Sequence, residues 1–458
     1  MTIQDISAQM NSVLLKNATI INEGATFKGD LLIRDGRIAR IASSVSGDQA
    51  SEIIECENKI VIPGCIDDQV HFREPGSTWK ADMASEARAA VLGGVTSFMD
   101  MPNNTPPATT SRDIAVKKDI ARRSSVANFG FYLGATPDNL EEIKSLDPRE
   151  VCGVKVFMGS STGTLLVDRE DSLRNIFRAA EVPVATHCED NEIISKNTAL
   201  FREKYGEDGM DASMHPLIRS REACLKSTSL AVALAKETGA RLHVLHLSTA
   251  EELSLFEPWA PLPVSQRQIT CEVCVHHLFF NDTWYGALGN RLKCNPAVKT
   301  EKDRQALVTA TRTGLITCIA TDHAPHTAEE KNAPYSKAPG GLPLIQFALP
   351  ALLELVKRNE LSLEDVVAGY CHNPAIRFNI SKRGFIREGY WADLAVIDPE
   401  KPQRVTPSVI ASKCGWSPFT GLTFSNSIIH TFVNGNQVVH NGVLANKNCF
   451  GTALRFDR

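Results

Sequence analysis

Short apolar runs rich in β-branched residues return eight times through the middle of this chain, each followed by a segment of helical character. The runs fall at Val61–His71, Val95–Met101, Asn128–Leu133, Gly153–Phe157, Val182–His187, Leu242–Leu247, Gln268–Val275 and Ile316–Asp322. Between them lie the helix-like segments Asp82–Leu92, Arg112–Arg123, Asp138–Ser145, Asp168–Ala180, Arg219–Thr238, Thr249–Phe256 and Thr300–Thr313, with Leu344–Arg358 after the last. Strand and helix alternating in this way predict the α/β class, and eight repeats predict a closed (β/α)8 TIM-type barrel of about 250 residues plus insertions. The polar tract Glu189–Pro216 is expected to be one such insertion.

Both ends of the chain read differently. Asn17–Ile21 and Asp30–Ile41 are β-type runs, the second broken by an Asp35-Gly36 hairpin signal. Trp391–Ile397 is apolar-rich, and Ile428–Val439 reads as two strands about an Asn434-Gly435 turn. The ends are expected to meet in one small β-sandwich domain, giving segments 1–60 and 378–458 around a barrel of residues 61–377.

The site in such a barrel lies at the C-terminal ends of the strands. The stretch Val61–Gly76 delivers Asp67, Gln69, His71 and Arg73, which an unbroken strand would place on one face. His71, His187, His246 and Asp322 end four of the runs, and Lys155 lies within a fifth. Imidazole nitrogens and carboxylate oxygens from separate strands are the donor set of catalytic zinc, which keeps one position open for water. Any one of these histidines alone would more simply be a hydrogen-bonded core residue; their coincidence at one end carries the metal reading. Lys155, flanked by Val154 and Val156, must lose its charge or find an acid if buried. His243, an odd number of residues from His246, is expected to face away from the metal, and His276-His277 to be a structural loop pair. His326, just past Asp322, is within reach either of substrate or of its own loop. Ala338–Leu342 is a flexible tract that either encloses substrate or is plain surface.

Composition narrows the class further. A net charge of −4 over 458 residues argues against nucleic acid as a partner. No run approaches a membrane span, and Met1–Lys16 lacks the apolar centre of a signal peptide, so a cytoplasmic protein is expected. Twelve cysteines without scaffold spacing are expected to be reduced, and Cys271-Glu-Val-Cys274, with no second pair, is expected to have no zinc or redox role.

The strings Ile66-Asp-Asp-Gln-Val-His71-Phe-Arg73-Glu-Pro-Gly76, Met101-Pro-Asn103-Asn-Thr-Pro106, His246-Leu-Ser-Thr249, Lys293-Cys-Asn295-Pro296 and Ala320-Thr-Asp322-His-Ala-Pro-His326 resemble those of dihydroorotases in the amidohydrolase superfamily. The likeness extends over nearly the whole chain, including a composite β domain from both ends. It implies the reversible closure of N-carbamoyl-L-aspartate to L-dihydroorotate in pyrimidine synthesis. His71, His187, His246 and Asp322 would hold zinc, one ion or two, and Lys155 would match the lysine that many relatives carboxylate to bridge two ions. Asp322 would also be the catalytic base, while Arg73, Asn103, Asn295 and His326 would hold the substrate's ring and carboxylate. The family habit also implies a homodimer acting on a small molecule.

One position departs from the pattern. Relatives carry His-x-His on the first strand where this chain has Gln69-Val70-His71. Glutamine is a weaker, neutral oxygen donor, so Gln69 is a doubtful ligand and the more buried ion should be held less tightly. Two alternatives therefore stand beside dihydroorotase. One is an allantoinase- or hydantoinase-type hydrolase, which shares the barrel and its metal chemistry. The other is a catalytically weakened barrel serving as a partner or scaffold.

Overall fold

The computed structural model describes residues 12–159, 165–445, 448 and 450–458; the N-terminal segment read for targeting falls largely outside them. At the start of the described chain β1 (Ser12–Asn22), β2 (Ala25–Arg34) and β3 (Arg37–Ala42) form an antiparallel meander. The turn into β3 is Asp35-Gly36 with φ of 51° and 75°, the left-handed pair that matches a two-residue hairpin to the twist of its strands. β4 (Glu52–Glu55) and β5 (Ile60–Pro63) run parallel to β1.

At Gly64 the chain changes sheet. Val61–His71, expected as one strand, is two: β5 stays with the terminal sheet and β6 (Cys65–Val70) opens the barrel. A side chain at Gly64 would put its Cβ 2.2 Å from Thr96 Oγ1, so the corner fits only glycine.

β7 (Val95–Asp100), β8 (Asn128–Phe131) with its continuation β9 (Leu133–Gly134), β10 (Val154–Phe157), β11 (Val184–His187), β12 (Leu242–Val244), β13 (Ile269–Cys274) and β14 (Cys318–Ala320) follow in order. Every neighbouring pair is parallel. β8 and β9 are one strand interrupted at Tyr132, pairing with β7 before the break and β10 after it. The ring closes where Val70 bridges His323 and the His71 N–H donates to His323 O at 2.7 Å. That makes the eight-stranded barrel the alternation predicts. Asp82, Thr110 and Thr300 each accept the backbone N–H three residues on, fixing the starts of the helices Met83–Leu92, Ser111–Ser124 and Glu301–Arg312. The insertion after β11 is ordered around the helix Asn191–Tyr205, while the expected helix at Thr249–Phe256 is a 3-10 turn over Glu251–Leu255.

β15 (Leu394–Asp398), the ribbon of β16 (Gln403–Arg404) and β17 (Thr423–Phe424), β18 (Ser427–Val433), β19 (Asn436–His440) and β20 (Val443–Leu444) complete the strands. β15 pairs antiparallel with β5, so both ends of the chain share one nine-stranded sheet in the order β20-β19-β18-β15-β5-β1-β2-β3, with β4 branching from β1. The last residues leave that sheet. Phe129 bridges Ala453, and Arg458 Nη2 donates to Cys152 O at 2.9 Å, so the C-terminus lies against the barrel where β8 and β10 begin. No helix among the described residues is long and apolar enough to cross a membrane.

Candidate active site

A cavity of about 380 Å³ opens at the C-terminal rim of the barrel. Gln69, His71, Arg73, Asn103, Lys155, His187, His246, Asn295, Asp322 and His326 all line it, together with Phe157 and the tract Pro339–Gly341. A second cavity, about 590 Å³, lies between β5, β15 and the helix Ala348–Lys357, with mainly apolar walls.

Three of the lining residues hold backbone conformations that side chains rarely adopt: Arg73 at φ +66°, His246 at +40° and Asp322 at +50°. Each such residue costs on the order of 1–3 kcal/mol, a cost that persists where the surroundings impose it. All three lie just past the ends of β6, β12 and β14, where the chain turns off the sheet and aims its side chain across the mouth.

The expected metal donors come together as two close pairs. His71 Nε2 lies 2.9 Å from Asp322 Oδ1, and His71 Nδ1 lies 2.6 Å from Asn103 Oδ1. With Nδ1–H donating to Asn103, Nε2 turns its lone pair toward the carboxylate, and two electron pairs at that distance need a proton or a cation between them. His187 Nε2–H donates to Glu189 Oε2 at 3.0 Å, which leaves His187 Nδ1 facing His246 Nε2 at 2.9 Å. Burial, and for His246 the neighbouring His187 and Lys155, lower the pKa of both rings, so both are neutral near pH 7. Their donor chemistry fits a divalent cation, and an imidazole whose other N–H is anchored on a carboxylate is the usual arrangement of a metal-bound histidine.

Lys155 is fully buried, with Nζ 4.5 Å from the Phe157 ring centroid. Burial drives its pKa down to about 7, against the opposing pull of Asp322 and Glu272. A substantial neutral fraction at ordinary pH is what an amine needs to react with carbon dioxide.

On the opposite wall His326 Nδ1 accepts from Lys80 Nζ at 3.0 Å, while Nε2 lies 3.1 Å from Gly340 O and 3.1 Å from Arg73 Nη2. Burial and the three cations Arg73, Lys80 and Lys331 push this ring far below the usual imidazole range. Lys80 is paired with Glu330 at 2.7 Å. Arg73 donates Nε–H to Pro325 O at 3.1 Å and has no carboxylate within salt-bridge distance among the described residues. Gly340 and Gly341 bring the main chain against this wall. A Cβ at Gly340 would sit 2.8 Å from Asn295 Nδ2, and one at Gly341, where φ is +141°, would sit 2.6 Å from Ala324 O and 2.9 Å from His326 Cδ2. Of the tract Ala338–Leu342, Pro339, Gly340 and Gly341 line the cavity.

Several expectations are corrected. The alternation of Asp67, Gln69, His71 and Arg73 fails because the register of β6 against β7 shifts between Asp67 and Val70 and the strand then ends. Asp67 instead accepts from Thr321 Oγ1 at 2.6 Å and Tyr370 Oη at 3.1 Å, away from the cavity. His243 does not face away: it lies inside the barrel against Asp68, 3.3 Å, and Glu272, 3.2 Å. The parity argument breaks because His246 stands beyond the end of β12 with its backbone reversed. His276-His277 is not a loop pair; it lies in the short helix Val275–Phe279 that follows β13 directly. Sequence reasoning places Glu189 at the start of the insertion and does not single out its partner Arg219. An acid two residues after a strand-end histidine was the available signal. Burial alone would raise the Glu189 pKa, but Arg219 and His187 outweigh it and hold the carboxyl ionised.

A barrel with imidazole and carboxylate donors gathered at its C-terminal rim is the architecture of metal-assisted hydrolases. The Amidohydrolase family pattern matches residues 60–438, and the chain belongs to that family. It is 32% identical to a dihydroorotase of Methanothermobacter thermautotrophicus over 421 residues, 91% of this chain and 92% of the relative. It is 29% identical to an allantoinase of Bacillus velezensis over 457 residues, 97% of each. Among solved structures it resembles the L-hydantoinase (dihydropyrimidinase) of Arthrobacter aurescens at a TM-score of 0.89 and 27% identity, covering 97% of this chain and 99% of that one.

Proposed function

We propose that this amidohydrolase is a zinc-dependent dihydroorotase, interconverting N-carbamoyl-L-aspartate and L-dihydroorotate in pyrimidine synthesis. The observation that carries the reading is Arg73: a guanidinium on the cavity wall with no carboxylate in salt-bridge distance among the described residues, flanked by Asn103, Asn295 and His326. A planar guanidinium grips a carboxylate through two parallel hydrogen bonds, and of the three candidate rings only dihydroorotate carries one.

His71, His187, His246 and Asp322 would hold the metal, with Lys155 as a carbamate where two ions share the site. When bound, zinc supplies Lewis acidity to the ring carbonyl and a water acidic enough to attack at neutral pH. Asp322 takes the proton of the attacking water and passes it to the ring nitrogen as the carbon–nitrogen bond breaks. In the synthetic direction Asp322 removes a proton from the ureido nitrogen. Asn103 holds His71 while Arg73 and Asn295 orient the substrate, and Pro339–Gly341 closes the side of the cavity against water.

The allantoinase relative and the hydantoinase structure keep a second reading in view, a cyclic amide hydrolase with a neutral substrate. Assay of dihydroorotate, allantoin and hydantoin in parallel on zinc-loaded protein tests both. Dihydroorotate should be turned over best; preference for either neutral ring rejects the assignment. Zinc bound without turnover of any ring would leave the scaffold reading.

A further inference from the structure

Behind Gln69, at the C-terminal end of β13, lies a donor cluster that the proposed reaction does not use. Cys274 Sγ and one ring nitrogen each of His276 and His277 lie within 4.8 Å of one another, all three side chains fully buried. Nδ1 of both rings is buried without a hydrogen-bond partner among the described residues. His277 Nε2 lies 3.1 Å from Pro296 O, which can only accept. Nε2 therefore carries the proton and Nδ1 the lone pair. The ring of His276 is held in the same manner by the main chain of Thr321. Imidazoles whose N–H is tied to a backbone carbonyl, with the second nitrogen free, are oriented as metal ligands are. Two unsatisfied buried nitrogens are otherwise a cost with no return.

We propose that Cys274, His276 and His277 form a second metal site, separate from the catalytic donors, for a thiophilic divalent cation such as zinc. A thiolate and two imidazoles are three of the four ligands of common zinc sites. In tetrahedral geometry such donors stand about 3.5 Å apart, so rotamer adjustments of about an ångström complete the set. The Cys274 thiol lies 3.8 Å from Gln69 Oε1. Binding releases the thiol proton to solvent and frees that oxygen, which is placed to approach the same ion. Gln69 Nε2 in turn donates to Asp322, so occupancy of the second site bears on the orientation of the catalytic carboxylate. Cys271 takes no part: three residues away on the strand, its Sγ faces Leu315 O at 3.9 Å, which is why the Cys-x-x-Cys spacing carries no shared site.

The test uses the full chain, stripped of metal and titrated with cobalt(II), and reads the near-ultraviolet charge-transfer absorption of a thiolate–cobalt bond. The band should appear in the parent protein, persist in Asp322→Asn, and vanish in Cys274→Ser and Cys274→Ala. Absence of the band in the parent, or its survival in both Cys274 variants, overturns the proposal. Should those variants fail to fold, X-ray absorption of the cobalt-loaded parent decides: one sulfur scatterer supports the site, and a purely nitrogen–oxygen shell overturns it. None of these readouts depends on which ring the enzyme opens.

Discussion

Gln69 Nε2 donates to Asp322 Oδ1 at 3.1 Å, joining the first strand of the barrel to the residue just past its last. His71 Nε2, one residue past that strand, faces the same oxygen at 2.9 Å, so Gln69 supplies the N–H that holds the carboxylate and His71 the lone pair that would share a cation with it. The residue that departs from the usual His-x-His pattern thus holds the proposed base rather than standing idle.

Asp322→Asn keeps the shape of that side chain and one acceptor oxygen but removes its charge and its basicity. Turnover of dihydroorotate should fall by about a thousandfold or more, with the circular dichroism spectrum unchanged. Activity within about tenfold of the parent rejects Asp322 as the base.

Arg73→Ala should raise KM for dihydroorotate by about a hundredfold, the loss of a charge-assisted contact worth on the order of 2–3 kcal/mol, while kcat moves less. Arg73→Lys should recover only part of it, since an ammonium lacks the planar fork. A KM unchanged in both variants removes Arg73 from the carboxylate site.

Glu189 accepts from His187 Nε2, and through that ring it would bear on the proposed metal. Glu189→Gln should weaken zinc binding by about 10–100-fold in a chelator competition, without changing which substrate is preferred. Equal zinc affinity would show that the His187 ring is held by packing alone.

Gly341→Ala places a methyl group 2.6 Å from Ala324 O at a φ of +141°. The wall must retreat from His326, and KM should rise about tenfold or more with little change in bound zinc. Parent-like kinetics would mean the tract does not touch substrate.

His430 in β18 has its pKa lowered to about 4, by burial first and then by His440 and Lys401. Between that value and the unfolded value of about 6.5 the unfolded chain binds a proton that the folded chain refuses. Stability contributed by the neutral ring is present above pH 6.5 and is lost as pH falls toward 4. Urea melts at pH 7 and pH 5 should show the decline, and His430→Gln should flatten it. An identical slope in the variant assigns the acid sensitivity to other buried histidines.

Much of this arrangement was legible because it depends on local chemistry. Asp35-Gly36 and Asn434-Gly435 announce their hairpins, since few other pairs adopt two left-handed conformations in succession. The alternation of runs fixed the barrel, and its rule for strand ends located His71, His187, His246 and Asp322 at the cavity. The failures at Asp67 and His243 share one cause: a period-2 argument holds only while the strand is regular. The shifted register of β6 sends Asp67 outward, and the reversed backbone at His246 lets His243 share the barrel interior. The break at Gly64 depends on the approach of Thr96, more than thirty residues away, and the Arg219 that holds Glu189 ionised lies thirty residues on; no neighbouring residue signals either contact.

The place of β5 between β1 and β15 bears on how the protein must be made. A ribosome delivers β5 long before β15, and until then the strand leading into the barrel presents bare amides and carbonyls along one side. A nascent or prematurely terminated chain lacking the last strands would carry that sticky border into solution, and only the pairing of β15 covers it.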